Sequence, residues 1–575
     1  MIIPRAEYPR PQFVREGWMN LNGNWQFEID NERSGEARGL QNEGVTLNGE
    51  ITVPFCPESS LSGVEHKDFM LGICYKRKFT LNTLSGRTLL HFGAVDYVCK
   101  AYVNGKFVGS HKGGYVSFAF DITSALKIGE NEITVFAEDD TRDLLIPTGK
   151  QSDRFGSHGC FYTRTTGIWQ TVWLEFMPET YIEKVKYFPN IADCSITVEA
   201  EFKGCADLKC EVFYESNKVG AYAAENVGGR LMFNISLSEK HLWEVGNGRL
   251  YDVKFTYGED KAESYFGLRE VRLDGFKFLI NGKSVFQRLV LDQGFYPDGI
   301  YTAPTDEDLK RDIKLSMACG FNGARLHEKI FEERFLYHAD RMGYIVWGEY
   351  PDWGIDASKK ESVYSVLPEW IEEVERDFNH PAIVGWCPRN EVWEQYRAFP
   401  CPEALTAVYD VTKALDTTRP CIDTSGGYHV KTDIFDVHDY DQNPETFKEH
   451  YDKLMTEGTV YDWLSAGNVK HTYKGEAVFV SEYGGIKWVN GQNRENDHQK
   501  SWGYGDAPTS EEEFKYRFKG LTDALLDNDK MFGLCYTQLT DVEQEQNGLY
   551  TYDRKAKFDT KFFYDVMTRK AAIEG

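Results

Sequence analysis

Two glutamates each follow a short apolar run of the chain. The run AIVGWCP leads through Arg-Asn to Glu391, and the run AVFVS ends at Glu482. Turn residues bound both runs, as expected for buried parallel strands that carry a functional residue at the C-terminal end. Two carboxylates at the strand ends of one α/β barrel can cleave a glycosidic bond, with one as nucleophile and the other as acid and base. Only the fold can bring these two residues together, because they lie far apart in sequence.

The second half of the chain has the pattern of a parallel α/β fold. After Phe276, apolar strand-like runs alternate with helical patterns, which indicates consecutive βα units. We predict strands at 285–291, 323–326, 344–350, 382–388, 419–425, 434–440, 477–483 and 532–539, with the weakest pattern at the fifth. Eight such units predict a (β/α)8 TIM barrel over 276–575. Glu391 then follows the fourth strand and Glu482 ends the seventh, so both face the same mouth of the barrel.

The first half has the alternating pattern of antiparallel β-sandwiches. Residues 1–180 contain short alternating runs separated by turn signals, and Asn104-Gly105 is a strong hairpin signal. We predict a jelly-roll sandwich in this region. Residues 181–275 contain more strand-like runs, and their length fits one immunoglobulin-like sandwich. The predicted fold class is therefore multidomain, with two β-sandwiches ahead of an α/β barrel.

Composition excludes several kinds of partner. The chain has 575 residues, a formal net charge of −25 and no basic stretch, which argues against nucleic-acid and anionic-membrane partners. It shows no signal-like start and no apolar run long enough to span a bilayer, so we expect a soluble, cytoplasmic protein. Its 12 cysteines are scattered, without paired motifs or zinc-type spacing, which favours free thiols in a reducing compartment. These observations leave open whether the chain forms a homo-oligomer.

Longer motifs carry a family resemblance across nearly the whole chain. They are LNGNWQF (21–27), AYVNGKFVGSHKGGYVSFAFDIT (101–123), TGIWQTVWL (166–174), FLINGKSVFQR (278–288), GFNGARLHE (320–328), NHPAIVGWCPRNE (379–391) and FVSEYGG (479–485). At these motifs the chain resembles glycoside hydrolase family 2, which contains β-galactosidases, β-glucuronidases and β-mannosidases. The resemblance implies that Glu391 is the acid/base residue, that Glu482 is the nucleophile, and that Asn390 bonds the 2-hydroxyl group of the sugar.

The resemblance also implies supporting residues at the barrel mouth. Arg325 resembles the family's strand-two arginine, which lies near the nucleophile and would keep it ionised. Tyr440 resembles the tyrosine that hydrogen-bonds the nucleophile, and its neighbours His438 and Asp439 are further candidates for the mouth. Tyr536 takes the place of the strand-eight tryptophan of many members.

Some positions depart from the family pattern. Asp292 and Gln293 replace an Arg-His pair in strand one. In strand two the histidine lies one position early, as His327, and Glu328 stands in its expected place. These departures bear on which sugar is bound rather than on the cleavage step.

The choice of sugar is less constrained than the chemistry. Glucuronidases of the family carry an Asn-x-Lys clamp for the substrate carboxylate, but Glu545 and Asn547 stand at these positions here. Loss of a cation and gain of an anion disfavour a uronate. The candidates for binding hydroxyl groups are Asp292, Asp298, Glu349, Asp352 and Glu545. The candidates for stacking on the sugar ring are Trp353, Trp393, Trp488 and Trp502.

Together these observations predict a retaining, exo-acting β-glycosidase of the β-galactosidase-like branch, which acts on small oligosaccharides or glycosides with a neutral terminal sugar. A β-glucosidase, an α-L-arabinopyranosidase or another pyranosidase is the alternative on the same site. A non-catalytic carbohydrate-binding protein is the alternative from another class. No redox cofactor is implied. A bound metal ion assists some family members, but its ligands are not assigned here. We expect the charge of Glu482 to raise the pKa of Glu391.

Overall fold

The structure is a computed structural model, which describes residues 3–393, 399–462, 473–489 and 501–575. Within these ranges, no helix is long and apolar enough to cross a membrane. The 12 cysteines are all free thiols, and most of them are buried.

The N-terminal part of the chain forms two antiparallel sheets around one apolar core. Its strands are β1 (Phe13–Val14), β2 (Trp18–Asn20), β3 (Gly23–Ile29), β4 (Gly49–Val53), β5 (Gly72–Leu81), β6 (Arg87–Phe92), β7 (Val95–Asp96), β8 (Val98–Val103), β9 (Lys106–Lys112), β10 (Phe118–Asp121), β11 (Gly129–Glu138), β12 (Gly167–Ile168) and β13 (Val172–Met177). The two main sheets have the orders β4-β3-β5-β11-β8-β9 and β10-β6-β13-β2, whereas β7 pairs with β12 and β1 pairs with residues 263–264 of the next segment. Trp25, Leu90 and Val135 are among the inward-facing core residues. Asn104 and Gly105 have positive φ angles of 50° and 75° and connect β8 to β9, as the hairpin signal predicts.

The next segment forms a second β-layered unit. Its strands are β14 (Tyr181–Asn190), β15 (Ser195–Tyr214), β16 (Asn217–Ser236), β17 (Tyr251–Tyr257) and β18 (Asp260–Phe266). The first half of the long strand β15 pairs with β14 and its second half pairs with β17. The strand therefore contributes to two faces, which enclose a core that includes Ile196, Val212 and Phe255. The domain boundaries at 180 and 275 stay predictions.

The third segment is an α/β barrel preceded by a small antiparallel sheet. The small sheet contains β19 (Val271–Asp274), β20 (Lys277–Ile280) and β21 (Lys283–Ser284). The barrel strands are β22 (Gln287–Asp292), β23 (Gly323–Leu326), β24 (Ile345–Glu349), β25 (Ile383–Cys387), β26 (Ile434–Asp439), β27 (Ala477–Gly484) and β28 (Met531–Thr537). The helices are α1 (Asp306–Ala318), α2 (Glu333–Met342), α3 (Val363–Asp377), α4 (Pro402–Leu415), α5 (Pro444–Thr456), α6 (Glu511–Leu526) and α7 (Thr560–Met567). The strands pair in parallel in the order β25-β24-β23-β22-β28-β27-β26, so the predicted fold class is confirmed.

The fifth predicted strand differs from the others. Residues 419–425 form only isolated parallel bridges with the fourth strand, between Cys421 and Trp386 and between Ser425 and Asn390. Carboxylates take up backbone N–H groups that a ladder would otherwise use: the N–H of Cys421 donates to Asp433 at 2.9 Å, and that of Thr424 donates to Asp423 at 2.9 Å. The N–H groups of Ile422 and Ser425 still donate to the carbonyl oxygens of Trp386 and Arg389. The eight-strand prediction is therefore wrong at this position only in that two bridges stand where a continuous strand was expected.

Local sequence explains where several barrel helices begin. Thr305 and Asp308 form a reciprocal capping box at the start of α1. Asn443 caps α5 ahead of a proline at the first helical position, and Ser510 caps α6. Of these helices only α5 starts a few residues beyond its strand, whereas longer loops lead to α1 and α6. The functional side chains therefore lie at the C-terminal strand ends and on the loops that follow them.

Candidate active site

Glu391 and Glu482 meet at the C-terminal mouth of the barrel. Glu482 lies in β27, and Glu391 follows the end of β25. One carboxylate oxygen of each residue and a ring nitrogen of His438 all lie within 4.8 Å of one another. This approach fits the roughly 5–5.5 Å between the carboxyl groups of retaining glycosidases, and it is shorter than the roughly 6.5–9.5 Å of inverting ones.

The backbone of Glu391 is held in an unusual conformation. Its φ angle is 49°, in the left-handed region that side-chain-bearing residues rarely adopt. Such a residue costs on the order of 1–3 kcal/mol and persists only where its surroundings fix it. The N–H of Glu391 donates to the carbonyl oxygen of Ser425 at 2.8 Å, which fixes the turn. The irregular fifth segment thus aims the Glu391 carboxylate at Glu482.

Glu482 accepts hydrogen bonds from two sides. The Nη1 atom of Arg325 lies 3.0 Å from its Oε1 atom, and the hydroxyl group of Tyr440 donates to its Oε2 atom. The Tyr440 hydroxyl also lies 3.0 Å from Oγ1 of Thr537. The carboxylate is only 3% exposed. A guanidinium and a phenol thus fix the position of this buried carboxylate through hydrogen bonds to both of its oxygens.

Arg325 belongs to a second layer of charges behind the pair. Its Nη2 atom donates to Glu349 at 2.7 Å, and the other Glu349 oxygen lies 2.8 Å from Nδ1 of His327. Burial acts to lower the pKa of Arg325, but the charges of Glu349 and Glu482 outweigh it and raise the pKa well above its usual value. Burial lowers the pKa of His327, so its imidazole is neutral. Glu349 therefore orients Arg325 and is itself bonded by the neutral His327, and the predicted contacts of both residues with a sugar stay predictions.

Asn390 presents the N–H donors of its side-chain amide at the mouth. Its N–H donates to Asp352 at 2.8 Å, and its Oδ1 atom accepts from Arg325 at 3.1 Å. The Nδ2 atom is buried and has no hydrogen-bond partner in the described part of the chain. A buried amide donor that is left unpaired costs free energy, so this atom is available for a ligand hydroxyl group.

His438 bridges the two glutamates and changes their expected protonation. Its Nδ1 atom lies 2.8 Å from Glu391 and 3.4 Å from Glu482. Burial acts to raise the pKa of Glu391, but the hydrogen bond and charge of His438, followed by Lys150 and Arg325, outweigh it and lower the pKa. The expectation of a raised pKa for Glu391 is therefore wrong in the free protein, because cations surround this carboxylate.

Glu545 lies near enough to Lys150 and Glu482 for their charges to act on its carboxyl group. The hydroxyl group of Tyr162 donates to its Oε2 atom, and the Nδ2 atom of Asn547 lies 3.0 Å from its Oε1 atom. Burial raises the pKa of Glu545 to about 7, against the hydrogen bond from Tyr162, the charge of Lys150 and the hydrogen bond from Asn547. The anion predicted at this position is thus only partly charged at neutral pH.

Two predicted site residues face away from the mouth because strand residues alternate in direction. Asp439 follows His438 in β26, and its carboxylate bonds His450 at 2.8 Å and Tyr451 at 3.2 Å, both on α5. Tyr536 follows Cys535 in β28, and its ring packs on Phe518 of α6, 4.9 Å between centroids. The prediction that Asp439 and Tyr536 face the mouth is therefore wrong.

Two further predicted residues are engaged elsewhere. Asp292 receives the N–H of Gly294 at 2.9 Å and is coupled to a buried network with Asp312 and Arg554. The ring of Trp488 packs against Phe514 and Phe558, at centroid distances of 5.9 and 5.3 Å. The predicted roles of Asp292 and Trp488 in sugar binding stay predictions.

The other polar and aromatic candidates lie either at the mouth or away from it. Asp352 lies beneath Asn390, whereas Asp298 is exposed, and its carbonyl oxygen accepts the N–H of Leu61 at 3.1 Å. The ring of Trp502 lies edge-on to Tyr504, 4.8 Å between centroids, and Tyr504 stacks on Tyr440. Trp353 and Trp502 thus border the mouth.

Sequence reasoning missed contributions from the first sandwich. Lys150 and Tyr162 belong to that unit, yet their side chains reach Trp353 and Glu545 of the barrel. Tyr504, which stacks on Tyr440, was also missed. No periodicity marks these residues, because each of their contacts joins parts of the chain that are far apart in sequence.

Within the described residues, one group has the geometry to reach a single metal ion, namely Glu391, His438 and Glu482. Its atoms are already engaged, since His438 bonds Glu391 at 2.8 Å and Arg325 bonds Glu482 at 3.0 Å. A divalent ion beside the guanidinium would be repelled. The group does not fit a resident metal ion.

Comparison with known proteins agrees with this geometry. Residues 62–163 match the family model "Glycosyl hydrolases family 2, sugar binding domain", and residues 271–484 match "Glycosyl hydrolases family 2, TIM barrel domain". A β-galactosidase of Thermoanaerobacter pseudethanolicus is 26% identical over 70% of this chain and 56% of the relative. A β-glucuronidase of Mus musculus is 26% identical over 70% of this chain and 67% of the relative.

Solved structures share the fold over nearly the whole length. A β-glucuronidase of an uncultured Clostridium species superposes with a TM-score of 0.79 at 22% identity, over 98% of this chain and 99% of the other. The Ruminococcus gnavus β-glucuronidase does so with a TM-score of 0.79 at 19% identity, over 99% of both chains. The chain spans only about half the length of some curated relatives, 56% and 53% of two β-galactosidases. The two matched models, the fold and the paired glutamates agree: this chain belongs to glycoside hydrolase family 2.

Proposed function

We propose that the protein is a retaining, exo-acting β-glycosidase that removes a terminal neutral sugar. Glu482 is the nucleophile and Glu391 is the acid/base residue. The observation that carries the proposal is the approach of their carboxylate oxygens to within 4.8 Å. At this spacing Glu482 can attack the anomeric carbon directly, whereas an inverting enzyme needs room for a water molecule between carboxylate and sugar.

The reaction proceeds in two displacements. Glu482 attacks the anomeric carbon while Glu391 donates a proton to the leaving oxygen, which gives a covalent glycosyl-enzyme. Glu391 then takes a proton from a water molecule, which releases the sugar with its original configuration. The unpaired Nδ2 atom of Asn390 supports a hydrogen bond to the 2-hydroxyl group, which strengthens towards the transition state.

His438 holds the proton that this reaction uses. Burial acts to lower its pKa, but the charge of Glu482 and the bond to Glu391 outweigh it and raise the pKa. The proton therefore rests on the imidazole in the free protein and can pass to Glu391 along the 2.8 Å hydrogen bond. As Glu482 attacks and loses its charge, the main charge that holds the proton on His438 is lost, which favours transfer through Glu391 to the leaving oxygen. Glu391 is then unprotonated and can accept a proton from water in the second displacement.

Preference for a neutral sugar should depend on pH through Glu545. We expect kcat/KM for nitrophenyl β-galactoside to exceed that for the glucuronide, and the ratio should rise as pH rises through about 7, where Glu545 loses its proton. A carboxylate held ~4 Å from another costs roughly 4 kcal/mol at an effective dielectric of 20, which is about three decades in rate constant. The measurement is kcat/KM for the β-galactoside, β-glucoside and β-glucuronide between pH 5.5 and 9.

Glu545→Gln should flatten the pH dependence of that ratio, because it removes the titrating group. The relatives include both β-galactosidases and β-glucuronidases, so a glucuronide preference at every pH would refute the neutral-sugar part of the proposal. A preference for the glucoside would leave the cleavage machinery in place and change only the sugar.

Tyr440→Phe should reduce kcat by about 10- to 100-fold, since it removes one hydrogen bond to the charged Glu482. The protein should remain folded, because the ring still stacks on Tyr504. Steady-state kinetics on an aryl glycoside measures the loss, and the exposed Tyr516→Phe serves as the matched control. A loss of less than twofold would show that the hydrogen bond from Tyr440 does not assist the nucleophile Glu482.

A further inference from the structure

A loop of the first sandwich is fixed against the barrel mouth. The N–H of Thr148 donates to the carbonyl oxygen of Trp353 at 2.8 Å, and the N–H of Tyr162 donates to that of Lys150 at 2.7 Å. Gly149 has a φ angle of 55°, and a Cβ atom there would lie 2.4 Å from the carbonyl oxygen of Glu328. Only glycine permits this approach, so the loop presents Lys150 to the mouth in a defined position.

Lys150 is a buried cation that lacks a carboxylate partner. The residue is 5% exposed, and its Nζ atom lies 3.4 Å from the centre of the Trp353 ring. Its ammonium group forms no hydrogen bond or ion pair with any residue that the structure describes. Burial acts to lower its pKa, but Cys160 and the carboxylates Glu391, Glu328 and Glu482 raise it, so the charge is retained.

Two neighbouring groups are also unsatisfied. Oε1 of Glu328 and Nε1 of Trp353 are buried without a hydrogen-bond partner in the described ranges, although Oε2 of Glu328 accepts the N–H of Trp353 at 3.1 Å. Each unpaired buried polar group costs about 1–3 kcal/mol. Neither these two groups nor the ammonium group of Lys150 takes part in the proposed cleavage steps. Together with Lys150 they make a cluster of donors and an acceptor that a ligand can satisfy.

We propose that Lys150, Glu328 and Trp353 form a hydroxyl-binding subsite, supplied jointly by the first sandwich and the barrel, that selects the terminal sugar by two neighbouring hydroxyl groups. This inference rests on the proposed function. An ammonium group and an indole N–H donate to hydroxyl oxygens, and a carboxyl oxygen accepts from a hydroxyl group.

A sugar hydroxyl fits this cluster better than a carboxylate does. A hydroxyl group both donates and accepts, which matches the mixed character of the three groups. Burial, and next the charge of Asp352, raises the pKa of Glu328 well above its usual value. The neutral carboxyl shares its proton with Asp352, so towards a ligand it offers an oxygen as acceptor. An anionic sugar would add charge beside Glu391 and Glu482, whose fields already act on Lys150.

The test compares Lys150→Met and Glu328→Gln on nitrophenyl β-galactoside and its 3-deoxy, 4-deoxy and 6-deoxy analogues. Lys150→Met should lower kcat/KM about 10- to 100-fold on the full sugar, which corresponds to one charged hydrogen bond. On the analogue that lacks the bonded hydroxyl group, the loss should shrink to within about threefold, because the contact is already absent. Lys150→Arg should recover part of the loss. The exposed Lys106→Met of the same sandwich is the matched control.

Equal losses on every analogue would show that Lys150 only supports the loop and would overturn the subsite. A loss confined to the glucuronide would assign Lys150 to a carboxylate instead and would overturn it as well. Calorimetric binding of galactose, glucose and glucuronate to the Glu482→Ala protein separates the two proposals, since it needs no turnover. If no glycoside is hydrolysed but Lys150→Met still weakens binding of a neutral sugar at least tenfold, the proposed function fails and the subsite stands. If no neutral sugar binds, or its binding is unchanged, the subsite is refuted.

Discussion

Glu482→Ala should lower kcat on a nitrophenyl glycoside by on the order of 10⁵-fold, the scale of losing a covalent nucleophile. The reason is geometric, because Glu482 is the carboxylate that Arg325 and Tyr440 hold in position opposite Glu391. The fold should survive the change. Arg325 keeps its 2.7 Å bond to Glu349, so no buried charge is left without a partner. Single-turnover and steady-state kinetics, with a thermal melt, measure both effects.

Added azide should restore turnover in Glu482→Ala and yield a glycosyl azide of inverted configuration. The shortened side chain leaves room for a small anion on the face from which the carboxylate attacks, and Glu391 still protonates the leaving group. The exposed Glu225→Ala in β16 is the control for removal of a carboxylate elsewhere. Near-normal turnover of Glu482→Ala would refute the nucleophile assignment, and sugar binding without hydrolysis in the parent protein would favour a non-catalytic role.

The barrel could be predicted from sequence because each strand is buried on both sides. Such strands read as continuous apolar runs, and 323–326 and 434–440 differ from the observed strands β23 and β26 by at most one residue at either end. The glutamates could be found for the same reason, since a carboxylate at the end of an apolar run is costly unless function requires it. The prediction of a fifth strand failed because its pairing with the fourth is reduced to two bridges and carboxylates accept two of its N–H groups, which a hydrophobic pattern does not report.

The wrong and missed residues at the mouth have two causes. Side chains along a strand alternate in direction, and some contacting residues lie far apart in sequence. His438 points into the barrel and Asp439 points to α5, as alternation along one strand requires, so counting from the barrel-facing His438 would have excluded Asp439. Lys150 could not be found by counting. It lies on a loop of another sandwich, and only the packing of that loop on Trp353 brings its ammonium group to the site.

Glu391→Gln should separate substrates by the quality of their leaving groups. Protonation matters most when the leaving oxygen is a poor leaving group, and a positioned acid contributes typically about 10²–10⁴-fold. We therefore expect kcat/KM to fall about 10³-fold on an alkyl glycoside and less than about tenfold on a dinitrophenyl glycoside. Glutamine keeps the size of the side chain, so the left-handed turn that Ser425 fixes should persist.

The pH profile and the product distinguish this role from that of Glu482. The parent protein should show a bell-shaped profile on the alkyl glycoside, because the proton shared by Glu391 and His438 is lost as pH rises through the raised pKa of His438. Glu391→Gln should lose that alkaline limb. Azide should accelerate turnover of the dinitrophenyl glycoside in Glu391→Ala and give a product of retained configuration, since it attacks the glycosyl-enzyme from the side that water normally uses. Equal losses on both glycosides, or an inverted azide product, would show that Glu391 is not the acid/base residue.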